Sequence, residues 1–64
     1  MEIGAIIKKR RVAMKLTQEE LAEKLNVTPQ AVSRWENEIS LPDITLVSRI
    51  ADLLKMSCDD LLKG

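Results

Sequence analysis

At 64 residues, 45% of them hydrophobic, the chain has material for one small core and none for a second. Trp35 is the sole aromatic residue, so the core must be aliphatic, a composition that favours helix over sheet. One cysteine, no histidine and ten basic against ten acidic residues exclude an internal disulfide and a His/Cys metal cluster, and deny any partner assignment from net charge.

The first element is expected from about Ile3 to Met14, where Ile3, Ile6, Ile7 and Met14 recur at helical spacing with Ala13 beside them. Thr17-Gln18-Glu19-Glu20 has the form of a capping box opening a second helix with Leu21, Ala22 and Leu25 on its buried side. Asn26 tolerates the positive φ of a sharp helix exit. Thr28 then caps a third helix, with Pro29 at its first position, where a missing N–H costs nothing; it runs to about Asn37. In that helix Val32 and Trp35 point inward, while Gln30, Ser33, Arg34 and Asn37 fall on outward or flanking sides. The register makes Trp35 core rather than a stacking platform. After the loop Ser40-Leu41-Pro42-Asp43, a fourth helix carries Leu46, Val47, Ile50, Ala51 and Leu54. Ser57-Cys58-Asp59-Asp60, a capping box with Asp in place of Glu, starts a last turn bearing Leu61 and Leu62. Five short helices result, an all-α domain covering 1–64 with no internal repeat or linker.

No apolar stretch approaches the roughly 20 residues of a membrane span, and the opening residues lack the order of a signal peptide, so a soluble, cytoplasmic chain is expected. Charge is polarised. Seven basic residues face five acidic ones through Asn37, and three face five beyond it. Within the basic run Lys8 to Arg11, Lys9 and Arg10 are expected to touch phosphates; a solvated helix face is the competing reading. Catalysis has no footing: Ser33 and Cys58 lack a neighbouring base, and Glu19-Glu20 and Asp59-Asp60 stand at helix starts, where negative charge favours the dipole. No cofactor, metal or small-molecule ligand is implied, Cys58 is expected to be inert, and Met14 and Met56 are expected to fill gaps.

The segment 18–37 carries the functional signal. Two helices crossing steeply after a short turn bring their backbones close, and Ala22 permits that approach while Leu21, Leu25, Val27, Val32 and Trp35 seal the inner corner. The third helix then protrudes, and a helix about 10–12 Å across fits the major groove of B-DNA, about 12 Å wide.

These residues resemble the phage-repressor-like helix-turn-helix domains, the Xre or Cro-repressor family. The likeness runs through Ile3-Gly4, Arg11, Leu16 to Ala22, Val32 to Asn37, Pro42-Asp43, Leu46, Ile50-Ala51 and Leu54. It implies a compact five-helix, lambda-repressor-like fold that binds double-stranded operator DNA, as a homodimer on two-fold symmetric sites. Its members are mostly bacterial and phage transcription regulators, and a repressor is the expected role. By the same resemblance Thr28, Pro29, Gln30, Ser33 and Arg34 face bases. Gln18 bonds a phosphate and braces the third helix, Asn37 contacts a phosphate, and Arg11 and Glu36 form a partly buried ion pair. Lys15, Asn26 and Glu38 stand where glycine is frequent in the family, which puts strained backbone at Lys15. An antitoxin of a two-gene pair and a protein-interaction module that has lost DNA binding are the alternatives. Dimerisation is expected through the fourth and fifth helices, whose Val47, Leu53, Leu61 and Leu62 look surplus to the core.

Overall fold

The computed structural model describes residues 2–63, without the side chain of Lys63. Met1 and Gly64, the two ends of the expected domain, lie outside the described residues, as does the contribution of Lys63 to the charge polarity. Five helices follow one another: α1 Ile3–Ala13, α2 Gln18–Leu25, α3 Pro29–Glu36, α4 Ile44–Leu53 and α5 Cys58–Lys63. The all-helical architecture is the expected one.

Local chemistry accounts for the helix starts. Thr17 Oγ1 accepts from the Glu20 N–H at 3.0 Å and Glu20 Oε1 accepts from the Thr17 N–H at 2.8 Å, so both halves of the capping box form. The hydrogen bonds from Thr17, backbone first, hold the Glu20 carboxyl below its usual range. Thr28 Oγ1 caps α3 through the Ala31 N–H. Asp43 Oδ1 caps α4 through the Leu46 N–H, Ser57 Oγ caps α5 through the Asp60 N–H, and Pro29 sits at the first turn of α3.

The first four helices all end in one way. One or two residues beyond the helix the backbone takes positive φ, at Lys15 (60°), Asn26 (59°), Glu38 (59°) and Lys55 (56°). The next amide reaches back five residues: Leu16 to Arg11, Val27 to Ala22, Ile39 to Arg34 and Met56 to Ala51. Positive φ at Asn26 and strain at Lys15 are the expected ones; Glu38, noted only as standing where glycine is frequent in the family, and Lys55 share the conformation. Left-handed backbone costs a non-glycine residue about 1–2 kcal/mol, less for Asn. Lys15→Gly and Lys55→Gly should therefore each stabilise the fold by about 0.5–1 kcal/mol, after the extra unfolded-state entropy of glycine is deducted. Asn26→Gly should change little. Urea titrations check this, and a destabilised Lys15→Gly would refute the strain assignment.

The core is one cluster: Ile3 and Ile7 from α1, Leu21, Ala22 and Leu25 from α2, Val32 and Trp35 from α3, Val47, Ile50, Ala51 and Leu54 from the α4 region, and Leu61 from α5. Trp35 is buried, as its register required. Helix α3 sits between α1 and α2, while α4 and α5 close the other side. Two expectations for α1 need correction. Its buried face continues from Ile7 to Arg11 and not to Met14, which is exposed just past the helix end and fills no gap. Only Met56, of the two methionines, packs against the core. Gly4 meets the end of α3 so closely that a Cβ there would stand 1.9 Å from the Trp35 carbonyl oxygen.

Candidate nucleic-acid interface

Helix α3 is held from behind and open in front. Val32 and Trp35 anchor it in the core, while Gln30 and Arg34, one turn apart, are exposed. Ser33 and Pro29 are half-buried beside them and Thr28 is exposed at the start of the helix. Thr28 has structural work as the cap of α3. Asn37 turns its amide back onto the helix end, where Nδ2 donates to the Ser33 carbonyl at 2.9 Å and to Ser33 Oγ at 3.3 Å. That bond holds Asn37 beside Ser33 at the exit of α3.

A buried polar network ties this helix to its neighbours. Arg11 Nε and Nη2 donate to the two carboxylate oxygens of Glu36 at 2.6 and 3.0 Å, a bidentate ion pair with the side chains 10% and 2% exposed. The Glu36 hydrogen bond raises the pKa of the guanidinium against the opposing effect of burial. Arg11 Nη1 reaches the Leu16 carbonyl, and Gln18 Nε2 donates to Glu36 Oε1 at 3.0 Å. Three elements thus meet at one carboxylate: α1 through Arg11, the first residue of α2 through Gln18, and the last residue of α3. The expected ion pair is present and so is the brace by Gln18. Nothing in the residue pattern indicates that the brace lands on Glu36.

The basic run of α1 divides. Lys8 and Lys9 are exposed. Arg10 is exposed as well, and its Nη2 donates to the carbonyls of Leu54 and Lys55 at 3.0 and 2.8 Å. These carbonyls lie just past the last residue of α4, so Arg10 ties the exit of that helix to α1 through one guanidinium nitrogen. A shallow open groove lies between the end of α1 and the starts of α2 and α3, bordered by Val12, Lys15, Thr17, Gln18, Glu19 and Pro29.

The apolar surplus expected on α4 and α5 is mostly interior. Val47 and Leu61 are core, Leu53 is half-buried against it and only Leu62 is exposed. Sequence periodicity could not separate these because both faces of a short helix can be apolar when neighbours cover both. The larger exposed aliphatic side chains lie elsewhere, at Ile39 and Leu41 in the α3–α4 connection, at Ile44 on the first turn of α4 and at Val12. Among the described residues no cluster of His, Cys, Asp and Glu could hold a metal, and no helix is long and apolar enough to cross a membrane.

The helix-turn-helix family model matches residues 7–61. The HTH-type transcriptional activator BcrR of Enterococcus faecalis is 34% identical over 64 residues, which is 100% of this chain and 31% of that protein. The HTH-type transcriptional regulator ImmR of Bacillus subtilis is 34% identical over 62 residues, 97% of this chain and 49% of its own length. This chain therefore spans at most about half of these relatives. Among solved structures, the P22 c2 repressor protein in complex with a synthetic operator superposes with a TM-score of 0.93 at 31% identity, covering 100% of this chain and 97% of that one. Five helices in this order, a capped turn at Asn26 and a match along most of the sequence lead to one assignment: the chain belongs to the helix-turn-helix family.

Proposed function

We propose that this chain is a sequence-specific reader of double-stranded DNA, acting in the cytoplasm as a transcription repressor that occupies a two-fold symmetric operator as a homodimer. One observation carries the reading: Gln30 and Arg34 project from a helix whose opposite face is locked into the core and whose last residue is held by Arg11 and Gln18. A rigid, protruding helix with a polar outer face is what major-groove readout needs. On this reading Gln30 pairs with adenine and Arg34 with guanine, Ser33 and Pro29 lie against neighbouring bases, and Thr28 approaches the DNA from the cap. Gln18, with one amide hydrogen left beyond its bond to Glu36, meets a phosphate together with Asn37, Lys9 and Arg10. Residues 1–64 form one domain, and neither cofactor nor catalysis enters. The relatives' names, an activator and a regulator, support transcription regulation, and the operator complex of the P22 c2 repressor supports the repressor role.

Selection of bound duplexes from a random pool tests it. The wild-type chain should enrich one motif, and Gln30→Ala and Arg34→Ala should each relax one base position by about 1–3 kcal/mol of discrimination while folding normally. Enrichment of the same motif by both variants would reject the base-reading assignment. Lys9→Ala should instead weaken binding to all sequences and reduce the slope of log affinity against log salt by about 0.9.

A further inference from the structure

Asn37 stands one helical turn beyond Ser33 and meets it twice: Nδ2 is 2.9 Å from the Ser33 carbonyl oxygen and 3.3 Å from Ser33 Oγ. A carbonyl oxygen only accepts, so the amide atom that faces it is the nitrogen, and this fixes which way the Asn37 amide is turned. The same nitrogen has only hydrogens to offer, which obliges Ser33 Oγ to accept as well. A serine hydroxyl carries one hydrogen. With a lone pair given to Asn37, that hydrogen points elsewhere, and donation polarises the hydroxyl so that it donates more strongly to a further partner. Ser33 is half-buried on α3 beside the exposed Gln30 and Arg34, so the further partner is whatever that face meets. An unconstrained serine turns its hydroxyl to suit donors and acceptors alike and specifies little; this one is constrained.

We propose that Asn37 is a positioning residue that makes Ser33 a hydrogen-bond donor toward DNA, so that the base facing Ser33 is selected for an acceptor; the inference rests on the DNA reading proposed above. In the major groove guanine presents acceptors at N7 and O6, adenine at N7 and thymine at O4, whereas cytosine presents only its N4 amino donor. Cytosine is therefore the base disfavoured opposite Ser33. Thr28 is set in the same sense, because its Oγ1 accepts from the Ala31 N–H at 3.2 Å, and the guanidinium of Arg34 has donors only. Gln30, whose amide carries both kinds of group, is left as the main acceptor on this face. The phosphate contact proposed for Asn37 is compatible with its hold on Ser33: one Nδ2 hydrogen shared between the two Ser33 oxygens leaves the second for the backbone.

The test uses the duplex motif enriched by the wild-type chain, with each base pair placed in turn at the position that Ser33→Ala relaxes. Of the two orientations of a G·C pair there, wild type should prefer one by about 3- to 10-fold, the one that sets guanine against Ser33. Asn37→Ala should bring the two orientations within about twofold of each other, on top of a uniform loss of affinity from the missing phosphate contact. Asn37→Asp should reverse the preference, because its carboxylate accepts the Ser33 hydrogen and leaves Oγ to accept from cytosine N4. Asn37 is exposed, so both variants should fold, and comparing two orientations on one protein cancels any uniform effect of the added charge. An unchanged preference in folded Asn37→Ala would confine Asn37 to the phosphate and overturns the assignment. So does a loss of preference spread over the Gln30 and Arg34 positions as well, which would mean that Asn37 merely holds the end of α3. A wild-type chain that enriches a motif in which Ser33→Ala relaxes no position also overturns it. Failure to enrich any motif refutes the underlying DNA reading instead and removes the inference with it.

Discussion

Gly4→Ala is expected to abolish cooperative folding or to lower the melting temperature by more than about 10 °C, although alanine is the better helix former. The added Cβ would stand 1.9 Å from the Trp35 carbonyl oxygen, 2.9 Å from its carbonyl carbon and 3.1 Å from the Glu36 Cα. All three atoms are backbone, so no rotamer change relieves the clash. Helix α1 would have to move away from α3 by more than 1 Å on the order-of-magnitude scale set by ordinary carbon–oxygen contact. Ile3 and Ile7, both buried, travel with it, and so does Arg11 at the other end of the helix. Overpacking typically costs about 1–3 kcal/mol and occasionally more, and the rigidity of the atoms met here puts Gly4 at or beyond the upper end. The helix-propensity gain of about 1 kcal/mol offsets only part of that, in a domain whose size gives little stability to lose. Ala5→Gly is the matched control: Ala5 is exposed on the same turn and should cost only about 1 kcal/mol. A Gly4→Ala protein as stable as wild type would show that α1 and α3 do not approach this closely.

What the sequence reveals divides along the same line as local and non-local chemistry. Thr17 with Glu20, Asn26, and Thr28 with Pro29 act on atoms three or four residues away, so each is visible in a short window, and together they place the helix-turn-helix. Gly4 acts on Trp35, thirty-one residues on, and in its own window it is only a weak helix residue. Arg10 binds carbonyls forty-four and forty-five residues away, which no spacing rule in the basic run could suggest. The same cause misplaced the inner face of α1: periodicity counts apolar residues, and the residue buried below Ile7 is the charged Arg11. That pair was accessible only because the whole pattern resembled a known family. In the candidate site, the outward positions of Gln30 and Arg34 follow from helical register with Val32 and Trp35. The commitment of Gln18 to Glu36 does not, because an amide takes its partner from whatever the tertiary fold brings near, whereas Asn37 bonds Ser33 only four residues back.

The second large effect concerns the Arg11–Glu36 pair, whose removal should be far worse one residue at a time than both together. Glu36→Ala leaves a largely buried guanidinium with the Leu16 carbonyl as its remaining partner, and Arg11→Met leaves a carboxylate 2% exposed with only the Gln18 amide. Breaking such a pair by deleting one partner costs about 3–5 kcal/mol, because the survivor's lost hydration is no longer compensated. Each single variant should thus be mostly unfolded or melt far below wild type. The double variant Arg11→Met, Glu36→Leu replaces the pair with apolar groups of similar reach and should recover to within about 1–2 kcal/mol of wild type. Recovery of the fold should not bring full recovery of DNA binding. With Glu36 gone, the Gln18 amide has no carboxylate to fix which of its atoms face outward, and the end of α3 loses its tie to α2. Affinity for the selected motif should fall several-fold at full stability, whereas the base preferences set by Gln30 and Arg34 should persist. Thermal melts of the four proteins, paired with duplex titrations of wild type and the double variant, separate the two roles. Strictly additive losses would mean that Arg11 and Glu36 stabilise the fold independently, and undiminished binding by the double variant would remove Glu36 as the residue that orients Gln18.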